Sequence, residues 1–365
     1  VDMPNKVLSD NVAKIAVIGV GGGGCNMINH MIKEGSHKID LIAANTDLQV
    51  LHISKAPKKI QLGLKLTKGL GAGMKPEIGR DSAVESYEDI KTALKGADII
   101  FIAAGLGGGT GTGAAAIIAK AAKEIGALTV SVVTKPFTWE GKKRAGLANL
   151  GLEELKKVSD SIIVVPNDRL LEIIDENVGM KDAFKIIDNI LFQAVNGMSE
   201  VILNPGNSDI NTDFADVKTI MQHRGMALMG IGKAKGEDAA QRALEDAIDS
   251  PLLDKVSLNG AKGILIHFNI HPQVSLFAIN DVMGTINDRM DSNAEIIFGT
   301  TSDSTLETDE VKITIVATGF ESKNDEHEET SENSEDGAQS AISSDDDNYL
   351  DVPPLMRDYV VQYQF

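Results

Sequence analysis

Two glycine-rich stretches stand out for what their main chain can do. "IGVGGGGCNM" (18–27) carries Gly19-x-Gly21-x-x-Gly24 directly after an apolar run, and "GLGGGTGTG" (105–113) follows a second such run. Without side chains the backbone N–H groups can approach anionic oxygens closely, and each stretch opens a helical pattern, so each is a candidate phosphate cradle. No G-x-x-x-x-G-K-[ST] sequence occurs, which removes the lysine that would otherwise hold β- and γ-phosphates. A bound nucleoside triphosphate must then be gripped by backbone donors and helix N-termini, and two cradles can grip a longer phosphate chain than one. Thr110 and Thr112 are expected to add hydroxyl donors. The first stretch alone fits a dinucleotide fingerprint, with Asp40 and Asp47 at the distance of a ribose-binding acid. An NAD-dependent oxidoreductase is therefore the alternative, although it has no evident catalytic His or Lys constellation and leaves the second stretch without a task.

Other pairs have the right spacing for chemistry. Phe184 and Asp188 are four apart and share a helix face. The ring suits stacking on a purine, and the carboxylate suits the N1–H and 2-amino donors of guanine, which adenine lacks; a core Phe beside a solvent-facing Asp is the plain alternative. Glu140 and Arg144, also four apart, read first as a surface ion pair. Asp213 with Asp216 three residues on resembles a helix cap, with negative charge where the dipole favours it. Cys25 either brings a thiol near the phosphates or is an inert small residue.

These residues need elements to position them. From Ala13 to about Pro166, near-continuous apolar runs ("AKIAVIGV", "KIDLIAANTD", "KKIQLG", "ADIIFIAAG", "LTVSVVTKP", "SIIVVPND") alternate with helix-length segments. That pattern predicts an α/β fold: a doubly wound parallel sheet covered on both faces, with ligands at the carboxyl ends of its strands. Residues 181–203 read as one long connecting helix. A second, α+β domain follows, with strands at "GMALMGIGKA", "AKGILIHFNI", "AEIIFGTT" and "EVKITIVATGF" and helices near 237–249 and 274–290.

The formal charge is −18, but eleven acidic residues against one lysine in 321–349 place −10 of it in one segment. That segment reads as a disordered acidic linker (321–350), and the excess acidity disfavours nucleic acid and anionic lipid as partners. In the last fifteen residues, Val352, Leu355, Met356 and Tyr359 fall at i, i+3, i+4 and i+7, a pattern suited to a partner's groove. A single cysteine excludes an internal disulfide and fits a reducing cytoplasm. No signal-like start and no apolar run of about 18 residues is present, so neither secretion nor membrane insertion is expected.

"GGGTGTG" at 107–113 resembles the signature of the tubulin and FtsZ superfamily of GTPases. "NTD" (45–47), "GLGAG" (69–73), "PFTWEGKKR" (136–144), "PNDRLL" (166–171) and "NTDFADVKTIM" (211–221) are similar to further motifs of that family, in the same order. The resemblance spans 13–320 and the terminal peptide. It implies a GTP-binding domain (13–180), a central helix (181–203), a C-terminal activation domain (204–320) with the catalytic loop, and a partner-binding peptide (351–365). Gly22, Gly23, Gly24, Cys25 and Asn26 would hold the phosphates from one side; Gly108, Gly109, Thr110 and Gly111 would hold the γ-phosphate end. Glu140 and Arg144 would face the ribose and phosphates, and Asn167, Phe184 and Asp188 the guanine. Asn211, Asp213 and Asp216 would be catalytic, with Mg²⁺ as cofactor and GDP as product.

A helix of some 20 residues spans about 30 Å, which puts these acids out of reach of their own chain's γ-phosphate. In the family the loop enters the site of the next subunit, so the resemblance implies a head-to-tail homopolymer. It also implies a place in the cytoplasmic division ring at a bacterial septum, at midcell on the inner membrane face, with anchoring and regulatory proteins bound by the terminal peptide. The loop before Asn211 holds two residues more than is usual and Thr212 replaces an aliphatic residue. A filament protein that binds GTP but hydrolyses it weakly is thus a third reading.

Overall fold

The computed structural model describes residues 13–320 except 36–37, 172–173, 175–176, 204–213, 224, 251–252, 254–257, 259 and 291. The acidic segment, the terminal peptide, Asn211 and Asp213 lie outside the described residues. In chain order, β1 (Ile15–Val20) leads into α1 (Gly21–Glu34), β2 (Ile39–Asn45) into α2 (Leu48–Ile53), and β3 (Lys58–Gln61) into α3 (Leu64–Thr67), α4 (Pro76–Glu85) and α5 (Tyr87–Leu94). β4 (Ile99–Gly105) feeds α6 (Thr110–Glu124). β5 (Leu128–Lys135) feeds a 3₁₀ turn (Thr138–Glu140) and α7 (Lys142–Val158), and β6 (Ser161–Pro166) ends in the short α8 (Asn167–Leu170). After α9 (Met180–Leu203) and α10 (Phe214–Met221) come β7 (Met226–Lys235), α11 (Ala239–Ile248), β8 (Gly263–Ile270), α12 (Leu276–Asp288), β9 (Glu295–Ser302) and β10 (Glu310–Phe320).

The strands form one ten-stranded sheet in the order β3-β2-β1-β4-β5-β6-β7-β10-β8-β9. β1 to β6 are parallel, so their helical crossovers cover both faces and their strands are apolar throughout. Ile15 and Val17 point into a core shared with α1 and α9, whereas Ala16, Ile18 and Val20 point into one shared with α4 to α7. Strand order reverses between β1 and β4, the crevice where open α/β sheets bind ligands.

The second strand group extends the same sheet, which the sequence pattern did not foretell. The seam is narrow: β6 and β7 pair in parallel over Ile162↔Met226 and Ile163↔Ala227. β10 then runs antiparallel to both β7 and β8. What bridges the seam is α9, whose Ile187, Ile190, Leu191, Ala194, Val195 and Met198 are buried. They share a core with Val132 and Val165 on one side of the seam and with Met229, Leu265 and Val316 on the other. Each large aliphatic side chain so buried contributes about 1.5–3 kcal/mol. Burial at i, i+3, i+4, i+7, i+8 and i+11 is the helical stripe that its sequence predicts.

Candidate nucleotide-binding site

Both predicted cradles sit at helix N-termini on neighbouring strands. Neither α1 nor α6 has a side-chain cap or an acidic residue in its first turn. Their first N–H groups are therefore left for an external acceptor, at the positive ends of two helix dipoles. The loops also touch: Gly21 adopts φ +72°, and a β-carbon placed on it would lie 2.9 Å from the Gly111 nitrogen. On Gly24 a β-carbon would lie 2.3 Å from the Ala103 oxygen, and on Gly111 2.5 Å from the Gly105 oxygen. These two glycines permit close helix–strand packing, while Gly22 and Gly108 border open space. Gly22, Gly23 and Asn26 are exposed and Gly108 and Thr110 half-buried, whereas Gly24, Cys25, Gly109 and Gly111 are buried.

Of the two readings of Cys25 the structure favours the inert small residue, and three further side chains have partners within the protein. The Cys25 thiol faces the core, 3.9 Å from the Gly19 and Ala44 oxygens, and accepts from Asn45 Nδ2 at 3.8 Å. Burial pushes its pKa up to about 11, so it stays a thiol and offers the crevice only main chain. Thr112 is 4% exposed. Its hydroxyl accepts the Gly107 N–H at 2.9 Å and so shapes the loop. Asp47 caps α2 through the Gln49 and Val50 N–H groups, and Asp40 pairs with Lys58 at 2.8 Å. Both acids thus have partners within the chain, which weakens the support for a dinucleotide site. Sequence reasoning gave Thr46 no role of its own, yet its hydroxyl lies 2.7 Å from that of Thr110. The signal was present in "NTD", a polar run directly after a buried strand.

At the start of α9, Phe184 is 41% exposed, while Asp188 is half-buried. This reverses the plain alternative of a core Phe and a solvent-facing Asp. Burial raises the Asp188 pKa to about 6, and among the described residues no cation or donor compensates it. Asn167 is 6% exposed, and its Oδ1 is buried without a hydrogen-bond partner. Unsatisfied buried acceptors are costly, and a ligand with donors would relieve the cost.

The turn after β5 connects these features. Phe137 meets Phe184 edge-on, with centroids 6.1 Å apart, and stacks on Trp139 at 5.3 Å. The Phe137 N–H donates to Glu140 Oε1 at 3.0 Å, and Arg144 pairs with Glu140 Oε2. Thr138 donates its N–H to Asp168 Oδ1 at 2.9 Å and its hydroxyl to Oδ2 at 2.5 Å. A β-carbon on Gly107, at φ +98°, would lie 2.9 Å from the Arg144 oxygen, so α7 abuts the second cradle. Phe137, Thr138, Trp139 and Asp168 had no individual role in the sequence reading.

Residues 14–175 match the Tubulin/FtsZ family GTPase domain, and residues 225–321 match the FtsZ family C-terminal domain. Over 84% of this chain and 88% of the other, the fold superimposes on an empty FtsZ dimer from M. jannaschii with 48% identity and a TM-score of 0.78. The chain belongs to the tubulin/FtsZ family. It is accordingly a GTPase, of a family that binds GTP and GDP. A tryptophan-to-tyrosine point mutant of M. jannaschii FtsZ is 47% identical over 85% of this chain and 92% of that one, with a TM-score of 0.78. GDP-bound CetZ1 from Haloferax volcanii shares the fold alone, at 19% identity and a TM-score of 0.72 over 84% of this chain and 94% of that one.

Of the three residues that the resemblance makes catalytic, Asp216 is the one described, and it lies away from the crevice. Asp216 is exposed in the first turn of α10. That helix packs through Val217, Ile220 and Met221, and Thr318 of β10 donates its hydroxyl to the Ile220 oxygen at 2.9 Å. The twenty-four residues of α9 separate it from the start of that helix, where Phe184 and Asp188 lie, by about 36 Å along the helix axis.

Proposed function

We propose that this chain is a filament-forming GTPase that binds GTP in the crevice between β1 and β4 and completes its active site by head-to-tail contact with a second subunit. The observation that carries this is a division of labour. The crevice has donors for phosphate, but two of its acids have partners within the chain: Asp47 caps a helix and Glu140 is held by Arg144 and the Phe137 N–H. Asp216 is exposed at the far end of α9. Together with Asn211 and Asp213 it would polarise the attacking water in the neighbour's site. Such a heterologous contact propagates into a filament, in keeping with the FtsZ dimer and the GTPgS-bound CetZ2 protofilament among the matched structures.

Mg²⁺ belongs to the same proposal. Among the described residues no group of three or more His, Cys, Asp or Glu could hold a metal. The ion would therefore rest chiefly on phosphate oxygens and water, as Mg²⁺ commonly does, and would neutralise charge on the phosphates. The further proposal is a cytoplasmic division ring at the septum, held to the membrane by partners of peptide 351–365. Among the described residues no helix is long and apolar enough to cross a membrane. In this proposal 13–180 binds GTP, 181–203 connects, and 204–320 carries the catalytic loop.

Phosphate release measured against protein concentration, with light scattering, tests it. Turnover per subunit is expected near zero in dilute solution and to rise as scattering appears. Turnover independent of concentration would overturn the shared site, and scattering without phosphate release would favour the weakly hydrolysing filament protein.

A further inference from the structure

We infer that Thr138 and Asp168 form a latch that positions the guanine-recognising side chains; this rests on the crevice being the GTP site. β5 and β6 are adjacent and parallel, and their last paired residues are Lys135 and Pro166. The two strands therefore release their loops side by side. Just beyond, both oxygens of Asp168 are taken by Thr138, one by its N–H and one by its hydroxyl. Asp168 is thus an acid beside the base pocket with both of its oxygens engaged by the same residue. Its work is done through its neighbours.

Each partner of the latch adjoins a different wall of the pocket. Asp168 follows Asn167, whose buried Oδ1 has no partner. Thr138 follows Phe137, whose ring sits edge-on against Phe184. One pair of hydrogen bonds therefore fixes the Asn167 backbone and the Phe137 ring relative to each other, and Phe184 is steadied from the Phe137 side. The α8 helix that carries Asn167 is only four residues long, too short to hold its own geometry without outside contacts. Charge-assisted bonds to a carboxylate are the strong kind. Positioning residues of this sort act on discrimination, because a recognising group displaced by about 1 Å loses the hydrogen bonds that tell one base from another.

Inosine differs from guanosine by the 2-amino group alone, so the ratio of GDP to IDP affinity reads the pocket's geometry. Equilibrium dialysis on dilute full-length protein would compare the wild type with D168A, T138V, T138S and, as a control on the site itself, D188N. The wild type is expected to prefer GDP about tenfold or more, the range of one hydrogen bond to a charged group. D168A should lower that ratio about tenfold and T138V about threefold, while T138S, which keeps both bonds, retains it. Equal loss of GDP and IDP affinity in D168A would show a merely structural role and overturn the latch. A ratio that collapses in D188N but stays intact in D168A and T138V would overturn the latch alone. A ratio intact in D188N as well would overturn the guanine-site reading and the latch with it. Should D168A fail to fold, T138V against T138S carries the comparison.

Discussion

In the proposed site, Asp188 would couple nucleotide recognition to pH. Burial without a counter-charge raises its pKa from 3.8 to about 6, and a protonated carboxyl cannot accept two guanine donors. GDP affinity should therefore fall about tenfold per pH unit below 6, a slope that isothermal titration would find missing in D188N. The sign for folding runs the other way. A raised carboxyl pKa contributes stability to the free protein that is present below about pH 4 and lost as pH rises through 6. The 184/188 spacing made this pair legible from sequence, because i,i+4 residues share a face. What spacing could not tell was which of the two is desolvated, since that depends on how the start of α9 packs on the rest of the fold. Asp168 was beyond sequence reasoning for the same reason: its partner is thirty residues away, across the β5–β6 pairing.

Among the elements, the two cradles show how a glycine run divides between packing and binding. Gly24→Ala would press a methyl against the Ala103 oxygen and force α1 away from β4, costing about 1–3 kcal/mol or more by overpacking. Gly22→Ala meets open space and sits in a helix, so thermal unfolding should show little change while nucleotide affinity falls. Equal destabilisation of both variants would refute this division. The sequence pattern located both loops and every strand beside them, because strand-to-helix turns announce themselves by hydrophobic period and glycine. It could not rank the glycines, and it gave Thr112 to the ligand when the hydroxyl serves the Gly107 N–H.

For the molecule as a whole, the sequence pattern counted the strands but did not show that they form one sheet, because nothing local marks a two-pair seam between β6 and β7. Asp216 brings the whole-molecule reading to a test. As a plain charge in the first turn of α10 it would be worth less than about 1 kcal/mol, and D216A would then lose a little stability and no turnover. As a group acting across a subunit contact, D216A should keep its fold and its GTP binding, lose phosphate release, and depress turnover of wild-type protein when mixed with it. Intact phosphate release would refute the shared site.

Trp139 is the chain's one tryptophan, 61% exposed and stacked on the Phe137 ring, which in turn meets Phe184 at the proposed base pocket. Nature has thus put its only indole chromophore at the crevice. Emission on excitation near 295 nm would come from this spot alone, so nucleotide exchange and subunit docking could be followed by stopped flow on the unlabelled protein.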